Sequence, residues 1–130
     1  MSKKIVVIGM GYVGIPAAVL FADVNDFTVT GIQRRSKRSG WKIDYLNQGK
    51  NPIGGDEPGL SELIKKVVDT NSFHVTDDYT IIKEADVVLI DVQTPTDEQG
   101  IPRYKSLKEV SKKVGQHIKE KTLVVIESTV

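Results

Sequence analysis

Apolar positions along the chain alternate between two patterns. Ile5-Val6-Val7-Ile8 is an unbroken apolar run rich in β-branched residues, the pattern of a strand buried on both faces of a parallel sheet. Three glycines follow within six residues, and then Ala17, Leu20, Phe21 and Val24 recur at helical spacing. Pro16 falls in the first turn of that helix, where its missing N–H costs little. The pattern predicts a strand, a glycine turn and a helix that buries this stripe. "FTVTGI" reads as a second strand, and Trp41 to Asn47 as a short helix stopped by Gly49. Beyond the turn-rich "NPIGGDEPG", the stripe of Leu60, Leu63, Ile64 and Val67 predicts a helix begun near Pro58. "FHV" is a brief third strand, "ADVVLID" a doubly buried fourth, and "TPTDEQGIP" a long loop. Ser106 and Glu109 have capping-box spacing and open a helix whose buried face is Leu107, Val110, Val114 and Ile118; "TLVVIESTV" is the last strand.

Strands alternating with helices force right-handed crossovers, so the expected fold class is α/β: a Rossmann-like, doubly wound parallel sheet with helices on both faces and Ile5–Ile8 central. Residues 1–130 make one domain of ordinary size. The chain stops on or just past a strand, where such a sheet is expected to continue, and it therefore reads as truncated.

Composition narrows the chemistry. Lys plus Arg (18) nearly balances Asp plus Glu (17), so no electrostatic argument favours nucleic acid or an anionic membrane. The apolar stretch after "MSKK" is too short for a signal peptide or a membrane span, and the expected location is cytoplasmic. With zero cysteines, a disulfide framework, a thiolate zinc site and a cysteine nucleophile are excluded within these residues; no metal site is expected. His74 and His117 have no partner in the sequence pattern, and Trp41 and Tyr45, one helical turn apart, read as packing.

The glycines carry the strongest signal. Each loses about 0.5–1 kcal/mol of helix or strand stability relative to alanine, so three together require a reason. Gly9, Gly11 and Gly14 fit GxGxxG between a buried strand and a helix. Gly9 permits the tight turn, Gly11 lets a pyrophosphate approach the backbone, and Gly14 lets the helix pack closely on the strand. The N–H groups at the helix start then hold phosphate oxygens. A glycine turn made only for packing is the competing reading. At the end of the second strand, where NAD-binding versions of this fold carry an acid, stands Gln33, followed by Arg34, Arg35, Lys37 and Arg38. By chemistry alone this leans towards NADP, with a solvated basic loop as the alternative. Thr94, Pro95, Ser128 and Thr129 follow strand ends, where ligands sit in open α/β sheets; loop capping explains such threonines equally well, and Glu127 is similarly ambiguous.

Together, "IGMGYVGIP", "YLNQGKNPIGGDEPGL", "QTPTD" and "ESTV" resemble the amino-terminal, cofactor-binding domain of the UDP-glucose/GDP-mannose dehydrogenase family, and more closely its branch acting on UDP-N-acetylhexosamines. The resemblance implies oxidation of a nucleotide-sugar C6 hydroxyl to a carboxylate in two hydride transfers to NAD, through a cysteine-linked intermediate supplied by later domains. It implies that Gly9 to Gly14, including the backbone of Met10, Tyr12 and Val13, hold the pyrophosphate. Thr94 and Thr129 would line the cofactor cleft, with Thr129 near the nicotinamide and a catalytic water. Arg38 has the spacing of a basic residue that contacts the adenosine side. Gln33 departs from the family's aspartate and leaves NADP open beside NAD. The implied partners are the dinucleotide and, in the longer enzyme, a UDP-sugar and further copies of the same chain in a homodimer or higher homo-oligomer. Two other readings compete: a stand-alone nucleotide-sensing regulatory domain, and the cofactor domain of a different dehydrogenase.

Overall fold

Apolar runs become strands of a single sheet. The computed structural model describes residues 3–38, 40–53 and 58–128. In chain order the elements are β1 (Lys3–Ile8), α1 (Gly14–Ala22), β2 (Phe27–Ile32), α2 (Trp41–Asn47), α3 (Leu60–Asp69), β3 (Phe73–Thr76), a 3₁₀ turn (Tyr79–Glu84), β4 (Val87–Ile90), α4 (Lys105–His117) and β5 (Leu123–Ile126). The order across the sheet is β3-β2-β1-β4-β5 and every pairing is parallel. β1 is central: Ile5 pairs with Val29 of β2 on one side and with Val87 of β4 on the other.

Both faces of β1 are apolar because both are covered. Ile5 and Val7 join Ile15, Val19, Leu46 and Ile64 beneath α1, α2 and α3. Val6 and Ile8 join Leu107, Val110 and Val114 of α4 and Ile82 of the 3₁₀ turn on the opposite face. Strand alternation therefore feeds two cores from a single run of four residues. α2 is tied to the sheet edge by Asn47, whose Oδ1 accepts from the Val75 N–H at 2.7 Å while its Nδ2 donates to the Val75 carbonyl at 2.8 Å. This gives the "LNQG" stretch a structural role, and Gly49 ends the helix at φ +77°.

Two sequence expectations are corrected. The buried face of α1 is Gly14, Ile15, Ala18, Val19 and Ala22, whereas Leu20 and Val24 are exposed and Phe21 lies at the boundary against Phe27. Close approach at Gly14 leaves room only for small or β-branched side chains against the sheet, so the bulkier residues turn outward. Ser106 and Glu109 do not open α4: the N-cap position is Tyr104, without a side-chain cap, which places Ser106 already inside the helix. The 3₁₀ turn is too short for periodicity to signal it. β5 has apolar side chains on both faces, yet its four residues are 36–58% exposed, because among the described residues nothing covers it beyond β4.

Candidate dinucleotide-binding site

The three glycines do three different things. Gly9 adopts φ +105°, and a Cβ there would run into the Asp91 carbonyl. A Cβ on Gly14 would collide with the Gly9 carbonyl, so this glycine is what lets α1 seat on β1. At Gly11 an added Cβ meets nothing within 4 Å. Packing therefore does not account for Gly11. α1 begins with Val13 at its N-cap and no side-chain cap, leaving first-turn N–H groups and the positive end of the dipole for a ligand. Tyr12 and Val13 are exposed beside them. The cradle fits a pyrophosphate.

Met10 is placed differently from its neighbours. Its side chain is buried under β2, where a Cβ on Gly31 would come within 2.7 Å of the Met10 sulfur. Its N–H donates to Gln33 Oε1 at 3.1 Å, and its carbonyl accepts from Lys42 Nζ at 3.2 Å. The Met10 backbone is thus clamped by β2's end and by α2, and its amide is engaged within the protein. Gln33 therefore sits where the turn and the end of β2 meet.

The basic run is divided. Arg35 is committed to two carboxylates, Asp77 at 3.3 Å and Asp44 at 3.9 Å. Arg34, Lys37 and Arg38 are exposed, and Arg38 offers its carbonyl to Trp41 Nε1 at 3.2 Å. Trp41 packs edge-on against Tyr45 with centroids 5.5 Å apart. The basic residue that reaches the turn is Lys42, eight or fewer residues downstream of each of these. Acids beside the run reduce its pull on a 2′-phosphate.

The exits of β4 and β5 lie next to the turn. Thr94 is partly buried in the loop after β4. Ser128 Oγ donates to the Val92 carbonyl at 2.8 Å and reaches the Ile90 carbonyl at 3.3 Å, so it fastens the two exits together. Thr129 lies outside the described residues. Asp91, at the end of β4, has both carboxylate oxygens buried with no hydrogen-bond partner. Burial first, and then the neighbouring Glu127, raise its pKa to about 7.

Residues 3–130 match the sequence model of the UDP-glucose/GDP-mannose dehydrogenase family NAD-binding domain. The chain belongs to this family. It is 36% identical to UDP-glucose 6-dehydrogenase of Drosophila melanogaster and 34% identical to UDP-N-acetyl-D-mannosamine dehydrogenase of Campylobacter jejuni, covering 98% of this chain in each case and 27% and 29% of those proteins. The crystal structure of NDP-N-acetyl-D-galactosaminuronic acid dehydrogenase from Methanosarcina mazei superposes with a TM-score of 0.95 at 50% identity, over 99% of this chain and 28% of that one. The chain thus spans under a third of the length of these relatives. It is an NAD-binding domain of nucleotide-sugar dehydrogenases, and its cofactor is NAD. No helix among the described residues is long and apolar enough to cross a membrane.

Within this family domain, two residues near the cofactor turn escape sequence reasoning. Lys42 stands at the start of α2, 32 positions from the carbonyl it holds; its only sequence signal is being a cation early in a helix whose first turn disfavours one. Asp91 ends an apolar strand in plain view, but nothing local tells that its oxygens are buried against the glycine turn.

Proposed function

We propose that this chain is the NAD-binding portion of a longer dehydrogenase that oxidises the C6 hydroxyl of a UDP-N-acetylhexosamine to a carboxylate, passing two hydrides to NAD. The observation that carries the binding half of this reading is the open space at Gly11 between two glycines that packing does require. The sugar is argued from the 50% identity to the M. mazei NDP-N-acetyl-D-galactosaminuronic acid dehydrogenase. UDP-glucose is the second reading, favoured by the 36% identity to the Drosophila enzyme. Uncovered apolar side chains on β5, and relatives over three times as long, support a longer parent. That parent is assigned to the cytoplasm as a homo-oligomer.

Bound NAD supplies the hydride acceptor. In this reading the N–H groups of Gly11, Tyr12, Val13 and Gly14 hold the pyrophosphate at the start of α1. Gln33 bonds the adenosine ribose, Arg34 and Arg38 flank the adenosine side, and Lys42 holds the Met10 carbonyl so that the turn keeps its shape. Thr94 and Thr129 line the nicotinamide side, where Thr129 positions water. The chain contains zero cysteines, so no thiolate is available to capture an aldehyde before a second oxidation; by itself the chain binds NAD and turns over no sugar.

The test uses the purified 130-residue chain for NAD binding by calorimetry and the enzyme encoded by the longer gene for turnover. Reduced-nicotinamide absorbance is followed with UDP-N-acetylgalactosamine, UDP-N-acetylmannosamine, UDP-glucose and GDP-mannose, and the sugar carboxylate is identified by mass spectrometry. Preference for UDP-glucose or GDP-mannose overturns the choice of sugar. A chain that binds no NAD overturns the site.

A further inference from the structure

The binding reading leaves one group unexplained. Asp91 is wedged between the two glycines that pack: its carbonyl lies where a Cβ on Gly9 would fall, and its own Cβ is 3.6 Å from where one on Gly14 would be. Both of its carboxylate oxygens are buried with no hydrogen-bond donor among the described residues. An ionised carboxylate in that state is unfavourable unless it finds a partner or a proton. The only charged group facing it among the described residues is Glu127, just beyond β5. α1 carries no charged side chain, β4 and the neighbouring half of β1 bring only apolar ones, and Lys3 and Lys4 stand at the other end of β1. Two ionised carboxylates have no donor between them, so the pair is satisfied only when one holds a proton. Glu127 is exposed to water, whereas both carboxylate oxygens of Asp91 are buried, which assigns the proton to Asp91.

We propose that Asp91 is a proton-operated positioning residue for the cofactor turn: protonated and donating to Glu127 it leaves the start of α1 to the NAD pyrophosphate, and ionised it weakens dinucleotide binding. Loss of the proton to solvent places a negative charge against Gly14, where the helix N-terminus would otherwise serve the phosphates alone. The inference rests on the reading of this turn as the pyrophosphate seat. Its midpoint follows from the raised pKa of about 7. If only the protonated form binds well, about one molecule in eleven is competent one pH unit above the midpoint, and affinity falls about tenfold there.

The experiment measures the dissociation constants of NAD and of ADP-ribose for the full 130-residue chain from pH 5.5 to 8.5, by calorimetry, for wild type, Asp91→Asn and Glu127→Gln. ADP-ribose keeps the pyrophosphate and lacks the nicotinamide charge. Wild type is expected to weaken about tenfold per pH unit above 7 for both ligands. Asp91→Asn, whose amide donates as the protonated acid does, is expected to bind with a nearly flat profile. Glu127→Gln removes the facing charge and is expected to move the wild-type midpoint to lower pH; it serves alone if Asp91→Asn fails to fold. Both histidines persist in the variants, so a difference between profiles belongs to the acid pair. Carbon-detected NMR titration of the Asp91 carboxyl in the ligand-free chain reads the proton directly. A wild-type profile that is flat, or that Asp91→Asn and Glu127→Gln leave unchanged, overturns the proposal while NAD binding stands. Absence of NAD binding at every pH overturns the pyrophosphate seat and the proposal with it.

Discussion

Alanine at Gly11 and alanine at Gly14 should fail in opposite ways. At Gly14 the added Cβ meets the Gly9 carbonyl at a distance no real contact tolerates, and both are backbone, so neither can rotate away. α1 must lift from β1, opening the packing of Ile15, Ala18 and Val19, all of which are fully buried. Overpacking of a well-filled core costs typically about 1–3 kcal/mol, and a backbone clash belongs at the upper end. For a domain of this size that corresponds to a fall in Tm of roughly 10 °C. At Gly11 the same methyl meets nothing within 4 Å, and the backbone there is not in the left-handed region. Folded stability should be unchanged or raised by about 0.4–1 kcal/mol through the unfolded state. NAD affinity should nonetheless fall more than about tenfold, or 1.4 kcal/mol, because the methyl occupies the approach to the turn. Urea and thermal unfolding followed by circular dichroism, beside NAD calorimetry, read both variants. Wild-type NAD affinity in Gly11→Ala, or wild-type stability in Gly14→Ala, would refute the division of labour.

Lys42→Met removes the donor to the Met10 carbonyl; NAD should bind several-fold more weakly, in keeping with about 0.5–1.5 kcal/mol for one hydrogen bond, while Tm moves little. Gln33→Asp should widen the preference for NAD over NADP in paired titrations, and no change would mean that residue 33 does not face the ribose. Asn47→Ala leaves the Val75 N–H and carbonyl without their side-chain partner and should destabilise by about 1–3 kcal/mol in urea with NAD affinity retained. Stability of the ligand-free chain should decline as pH rises from about 4 towards 7, since an acid whose folded pKa is raised binds more protons folded than unfolded across that window. Asp91→Asn should remove this decline. Asp78 and Asp86, held below the usual carboxylate range first by bonds from Thr80 and Lys4 respectively, act oppositely and only at lower pH, so the two effects separate.

Strands and glycines were legible because their signals are local. Four consecutive β-branched or apolar residues at Ile5–Ile8 have no stable place except a strand covered on both sides, and glycines at 9, 11 and 14 between such a strand and a helix admit few other uses. The tight turn at Gly9, the close packing at Gly14, the short α2 ending at Gly49 and the centrality of β1 all follow from patterns within about ten residues. The buried face of α1 was not legible. "GIPAAVLFA" is apolar almost all the way round, so periodicity marks no preferred side, and the choice fell to volume: Gly14 draws the helix so close that Ala18 and Ala22 fit against the sheet where Leu20 and Phe21 cannot. Lys42 and Asp91 were hidden for a different reason. What they do depends on neighbours 32 residues away for Lys42 and 36 for Glu127 beside Asp91, brought together by parallel crossovers. Hydrophobic pattern specifies which segments pair, whereas the dielectric around a carboxylate and the reach of an ammonium exist only once the strand exits have been gathered at one end of the sheet.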